Sequence, residues 1–161
     1  MKQNNLVGKI GVIVSYAALF FVATYFGKSV EYSDGLFFVV GLLVGLALLE
    51  ADEAVLFKYY ADTESKKRLA TRSLLFILAL FPLGIFLLTS TGSALGVGMY
   101  LSIISGLALE FFSLRKNKLE FKERFLYQLK RDISIQEQQL FTAVFISTTV
   151  MYAFFVIFLG R

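Results

Sequence analysis

Five long apolar runs, separated by short polar stretches, dominate the pattern of this 161-residue chain. Each run is close to the length of about 20 residues that a helix needs to cross a bilayer. None alternates polar and apolar positions with a period of two, as a strand of a membrane barrel would. The pattern therefore predicts an all-α, polytopic membrane protein that forms a single membrane domain over residues 1–161. The predicted transmembrane helices are residues 6–26, 36–60, 69–88, 93–114 and 140–159.

The distribution of Lys and Arg predicts how these helices are oriented. Of the 16 Lys and Arg residues, only Lys28 and Arg161 fall on one side of the five predicted spans. Flanks that are rich in Lys and Arg stay in the cytoplasm during insertion. We therefore expect a multi-pass protein of the cytoplasmic membrane, with its N-terminus in the cytoplasm and its C-terminus outside. Omitting any one helix would mix the two groups of charges, so the charge pattern supports the count of five.

The longest polar stretch between predicted spans, residues 115–132, is amphipathic. Leu119, Phe125 and Leu129 share one face at about 100° per residue, while most of the charged residues lie opposite. We expect a helix along the inner membrane surface, with its cationic side chains near anionic lipid. Ser134 and Glu137 have the spacing of a capping box, which predicts that the last membrane helix starts there.

Composition removes several kinds of chemistry from consideration. The chain contains no Cys, His or Trp. Disulfides, thiolate nucleophiles, imidazole bases and Cys/His zinc sites are therefore excluded. The formal net charge is +4, but the basic residues flank apolar spans, where lipid headgroups explain them better than nucleic acid. No catalytic residue, cofactor or metal ligand is predicted.

Charged residues at the inner ends of the predicted spans form the candidate site. Glu50 and Glu53 stand one turn apart in the second span, while Arg72 and Glu110 belong to the third and fourth. A tight hairpin places Glu53 opposite Arg72, and the next hairpin places Arg72 opposite Glu110. Asp52 is expected to point elsewhere, toward the headgroups or a neighbouring helix. We therefore predict that Glu53, Arg72 and Glu110 converge at one depth and that Glu50 joins them from a slightly deeper position on the same helical face as Glu53.

This predicted cluster has two interpretations. Charges within a membrane are costly, and they usually pair with one another or line water. In the first interpretation Arg72 holds the carboxylates in a structural clasp; in the second the carboxylates bind a cation or pass protons. No acidic residue continues the route through the outer half of the membrane. A closed, dry cluster would support the clasp, whereas a wet cavity reaching Glu50 and Glu110 would support the ion site.

Small residues predict where two helices approach closely. Gly41 and Gly45 form a small-x-x-x-small pair in the second predicted span. The stretch Gly45-Leu-Ala-Leu-Leu-Glu50 is similar to Gly106-Leu-Ala-Leu-Glu110 in the fourth span. The similarity indicates either a duplicated helical hairpin or the chance recurrence of apolar residues in membrane helices.

The sequence favours a non-enzymatic function. The predicted polar segments are too short to fold as a catalytic domain, and five helices leave little room for an alternating-access core. We therefore expect an accessory or structural subunit that associates with itself or with a larger membrane complex. One alternative is a small oligomeric transporter or channel that uses the acidic cluster. Another is a membrane enzyme that acts on lipid at the inner face.

Overall fold

A computed structural model describes residues 2–27, 32–56, 70–91 and 93–159. These ranges are almost entirely helical and contain no strand, which confirms the all-α prediction. The predicted span ends at 57–60 and 69, together with Lys28 and Arg161, lie outside the described residues. The described α-helices are α1 Lys2–Gly27, α2 Tyr32–Ala51, α3 Leu74–Phe86, α4 Ala94–Leu114, α5 Lys118–Phe125 and α6 Ile135–Phe154. Short helical turns of other types adjoin them at Asp52–Leu56, Ala70–Arg72, Leu87–Thr91 and Phe155–Leu159.

Length and composition make three of the described helical segments suitable for crossing a membrane. These segments are Asp34–Ala54, Ala94–Leu114 and Ile135–Ile157. Two further apolar helical segments, Leu6–Val22 and Leu74–Thr89, are shorter. Large apolar side chains are exposed on the outer faces of the helices, as expected for surfaces in contact with lipid. The fold is therefore compatible with membrane insertion.

Helix α4 is the centre of the bundle. In its most apolar stretch 67% of the residues are buried, against 33% in each of the other two long segments. It contacts α1, α2 and α6 directly. The side chains from Leu101 to Leu107 are buried without interruption, so α4 is surrounded by protein along its middle third. Glu110, the charged residue of α4, is likewise buried.

Glycines bring α2 and α4 into backbone contact. A Cβ atom added at Gly41 would overlap the carbonyl oxygen of Leu95, and one added at Gly45 would overlap that of Met99. The predicted close approach through Gly41 and Gly45 is confirmed. Both contacts advance by four residues in the same direction, so α2 and α4 run parallel. Their C-terminal ends, with Glu50 and Glu110, therefore lie at the same end of the bundle.

The amphipathic helix is shorter than predicted. A helix was expected over residues 115–132, but α5 covers only Lys118–Phe125 and the chain then leaves helical geometry at Leu126. Phe121, Phe125 and Leu126 are buried, because the aromatic rings of α5 pack on Phe111 of α4. Packing against α4 overrides the surface-helix pattern at these positions. Only the edge of α5 that carries Leu119 remains open.

The start of α6 agrees with the sequence. Ser134 is the N-cap, its hydroxyl accepts a hydrogen bond from the Glu137 backbone, and the Glu137 side chain accepts one from the Ser134 backbone. The predicted capping box is therefore confirmed. The helix begins several residues before the apolar run at 140–159. Gln138 lies in this first part of the helix and donates a hydrogen bond to the Leu114 carbonyl at the end of α4.

Candidate functional site

Seven charged side chains meet at the end of the bundle where α2 and α4 finish. All four residues predicted to converge are among them, and three others join. We call the set the charged cluster: Lys9, Glu50, Asp52, Glu53, Arg72, Glu110 and Arg124. Three cations face four carboxylates, so the formal balance is one negative charge. Four of the described α-helices contribute to it, together with the π-helical turn after α2 and the turn before α3.

Arg72 lies at the middle of the charged cluster and is fully buried, with 0% of its surface exposed. Its Nε and Nη2 donate to the two oxygens of Glu110 at 2.9 and 2.7 Å, which is the bidentate geometry of strong Arg–carboxylate pairs. Nη2 also donates to Glu53 at 3.2 Å, and Nη1 donates to the Leu49 carbonyl at 3.2 Å. Each nitrogen of the guanidinium thus has an acceptor.

Within the described residues, Glu110 has contacts with three cations. Oε1 accepts from Arg72 and from the Lys9 ammonium, each at 2.7 Å. Oε2 accepts from Arg72 at 2.9 Å and lies 3.3 Å from Nη2 of Arg124. The residue is 1% exposed. A carboxylate so deeply buried is tolerated only when several donors replace its hydration, and here three cations do so.

Lys9 was not predicted to belong to the site. It is buried in α1 and donates at 2.7 Å both to Glu50 and to Glu110. The sequence carried one signal, since Lys9 is the single charged residue in the predicted span 6–26. A lone cation in an apolar run needs a buried partner. Glu50 and Glu110, which end the two similar sequence stretches, thus meet at the same ammonium.

Asp52 was expected to point away from the cluster, and the structure corrects this. Its Oδ2 accepts hydrogen bonds from the backbone nitrogen of Thr71, at 2.8 Å, and from the Thr71 hydroxyl. It also lies 3.8 Å from Nη1 of Arg72. The chain changes from α-helix to π-helix at Asp52, so the angular spacing assumed for a regular helix no longer applies.

Arg124 is a second cation that was not predicted to belong to the site. Most charged residues of the amphipathic stretch were expected to lie opposite its apolar face, yet Nη2 of Arg124 lies 3.1 Å from Glu53 and 3.3 Å from Glu110. Packing of Phe125 on α4 turns this part of α5 toward the bundle. Two buried atoms of the cluster, Oδ1 of Asp52 and Nε of Arg124, have no hydrogen-bond partner within the described ranges.

The gap beside Lys9, on the α4 side of the cluster, is closed. The gap between Lys9, Ser102, Ser105 and Gly106 is too narrow for a water molecule. Further along α4, Ser105 and Tyr16 share a hydrogen bond of 3.0 Å. In the described part of the chain no group of three acidic side chains is arranged to share a metal ion. Glu110 thus turns toward Arg and Lys donors rather than toward this gap.

Comparison with protein families, with curated proteins and with solved structures gives no match for this chain. Its function is therefore argued from the geometry of the bundle. The charged cluster is the most informative feature of the bundle, because burying its charges is costly and its contacts are numerous.

Proposed function

We propose that the chain is a multi-pass protein of the cytoplasmic membrane with five spans, its N-terminus in the cytoplasm and its C-terminus outside. Three long apolar segments, two shorter ones and the one-sided distribution of Lys and Arg support this topology. The parallel direction of α2 and α4 also fits, because two spans separated by one other span must run the same way.

Reporter fusions at the two ends test the topology. A reporter that is active only outside the cytoplasm should be inactive when fused before Met1 and active when fused after Arg161. A reporter that folds only in the cytoplasm should give the opposite pattern. Activity of the first reporter at Met1, or its inactivity after Arg161, contradicts the five-span topology.

We infer that the charged cluster is a structural clasp and that the protein is a non-enzymatic accessory or structural subunit. The observation that carries this inference is the complete burial of Arg72, whose nitrogens all have acceptors on α2, on α4 or at the turn before α3. An ion site needs carboxylate oxygens that can release their hydrogen-bond donors and coordinate the ion instead. In the clasp both oxygens of Glu110 and Oε2 of Glu53 already contact cations of the chain itself.

Association with itself or with a larger membrane complex completes this proposal. The described soluble segments are short, while the outer faces of α1, α3 and α6 offer long apolar surfaces. Mass determination of the purified protein in a mild detergent tests self-association. We expect a mass of at least two chains or co-purification of a defined membrane partner. A monomer without any partner at all accessible concentrations contradicts the proposal.

A small oligomeric transporter or channel is the second candidate. Glu50 favours it, because 35% of its side chain is exposed and the cluster has one carboxylate more than it has cations. Reconstituted vesicles separate the two functions. The clasp predicts proton and cation flux equal to that of empty vesicles. Flux above this level that disappears in Glu50→Gln, while the variant still folds, would establish the transport function.

A further inference from the structure

A second polar region lies outside the charged cluster, along the open edge of α5. It is a groove of about 640 Å³, within the range of about 300–1,000 Å³ that is typical of small-molecule sites. Lys118 and Lys122 line it together with Glu123 and Asp132. We call it the linker groove, because it lies in the segment that connects α4 to α6. That segment joins two of the three long apolar segments, which sets the groove next to a membrane edge.

The charges of the linker groove are balanced. Two ammonium groups and two carboxylates line the same space. The Lys122 ammonium donates a hydrogen bond to Asp132, and this bond lowers the pKa of the Asp132 carboxyl below its usual range. Asp132 therefore remains ionised at neutral pH. The Asp132 side chain is 82% exposed and that of Lys122 is 30% exposed, so a ligand can contact both members of the pair.

The apolar part of the groove points to a lipid. Leu119 and Leu129 line it, and 70% of the surface of Leu119 is exposed. An exposed Leu beside lysines at a membrane edge suits a ligand with a charged head and a hydrocarbon chain. A free phosphate or a soluble amine would use the charges but would leave this apolar surface uncovered.

We propose that the linker groove binds a phospholipid whose headgroup carries both a phosphate and a primary ammonium. The phosphate contacts Lys118 and Lys122, the ammonium contacts Glu123 and Asp132, and an acyl chain covers Leu119. The inference rests on the proposed membrane location. It goes beyond that proposal because it assigns a headgroup chemistry, whereas the basic character of the segment alone predicts only anionic lipid.

Charge complementarity distinguishes this headgroup from two others. A purely anionic headgroup satisfies the lysines but faces two carboxylates of its own sign. A choline headgroup has the required charges, but its quaternary ammonium has no N–H to donate, and such groups are usually bound in cages of several aromatic rings. Tyr127 is the one aromatic residue among the residues that line the groove. Ethanolamine donates to both carboxylates and needs no cage.

Lipid retention by the full-length protein tests the inference. The purified protein is mixed in detergent with equal amounts of phosphatidylethanolamine, phosphatidylcholine and phosphatidylglycerol, and retained lipid is counted by native mass spectrometry. We expect phosphatidylethanolamine to be retained about three- to tenfold more than either of the others, as the loss of one charge-assisted hydrogen bond in a partly exposed site would give.

Paired variants separate the two halves of the headgroup. Lys118→Gln with Lys122→Gln should lower retention of all three lipids, because the phosphate contacts are lost. Glu123→Gln with Asp132→Asn should instead shift the preference to phosphatidylglycerol. Lys116→Gln with Lys130→Gln is the matched control, because it removes the same charge from exposed residues outside the groove. The control should retain the preference of the native protein.

Three results overturn the inference. Equal retention of the three lipids by the native protein means that the segment touches lipid without selecting a headgroup, and the proposed membrane function then stands. Loss of selectivity in the control pair to the same extent as in the groove pairs means that total charge alone acts. If the native protein retains no lipid, both the proposed site and the expected contact between this segment and the membrane surface are wrong.

Discussion

Two sets of Arg–Glu ion pairs lie near the same end of the molecule and differ in how deeply they are buried. In the charged cluster, Arg72 is 0% exposed and is shared by carboxylates from α2 and α4. In the linker, the Arg131 and Glu137 side chains are 76% and 44% exposed and pair with each other. The residue types are alike, so the comparison isolates the effect of burial.

Burial changes what an ion pair does for the fold. An exposed pair gains little, because water solvates each partner almost as well as the other partner does. A buried pair must replace lost hydration, so the number of donors matters and removal of one partner leaves a charge that nothing compensates. Glu110 has contacts from three cations. These ion pairs connect α1, the turn before α3 and α5 to the central helix α4.

The largest expected effect comes from removing the buried cation. Arg72→Leu removes the bidentate partner of Glu110 and a cationic contact of Glu53, and loss of one partner of a buried pair destabilises proteins by about 3–5 kcal/mol. Unfolding by a denaturing detergent, followed by circular dichroism, measures the change. Arg131→Leu is the control, with the same change of side chain at an exposed position. Equal stability of the two variants would mean that burial does not distinguish the two sets.

A second effect of intermediate size concerns the glycine contact that aligns the two carboxylate-bearing helices. Gly45→Ala places a Cβ against the Met99 carbonyl, and overpacking of this kind costs about 1–3 kcal/mol. Gly11→Ala is the matched control, because nothing lies within 4 Å of the added Cβ. We expect the unfolding midpoint to fall for Gly45→Ala only. A similar fall for both variants would point to glycine flexibility rather than to the helix contact.

The smallest effect is expected in the linker. Arg131→Gln removes one member of an exposed pair, and Ser134 keeps its capping contacts with Glu137. The melting temperature in detergent should stay within experimental error, both at low salt and at about 1 M salt, where exposed charges are screened. A clear loss of stability at low salt alone would show that the exposed pair supports α6.

Sequence reasoning placed Glu53, Arg72 and Glu110 at one depth because tight hairpins fix the relative height of neighbouring helices. The structure has Arg72 in contact with both carboxylates, at 3.2 and 2.7 Å. The capping box at Ser134 could also be predicted from the sequence, since it depends on two residues that are three positions apart. Features set by local spacing or by hairpin depth can thus be read from the chain.

The remaining members of the cluster depend on information that spacing does not contain. Lys9 reaches Glu110 because α1 is rotated toward α4, and that rotation is decided by side-chain packing. Arg124 reaches Glu53 because Phe125 anchors α5 on Phe111. Asp52 joins the cluster because the chain forms a π-helical turn at this residue, and the spacing of apolar residues in the sequence does not predict such a turn. Each of these three contacts follows from tertiary packing or from irregular backbone geometry.

The central claim, that burial couples the charges of the cluster into one structural unit, is tested most directly by a double-mutant cycle. Stability in detergent is measured for the native protein, Arg72→Leu, Glu110→Gln and the double variant. The clasp predicts that the double variant loses less than the two single variants together, with a coupling of about 1–3 kcal/mol, because Glu110→Gln neutralises the carboxylate whose bidentate partner is absent in Arg72→Leu. Losses that add within about 0.5 kcal/mol would contradict the clasp, since independent sites behave in that way.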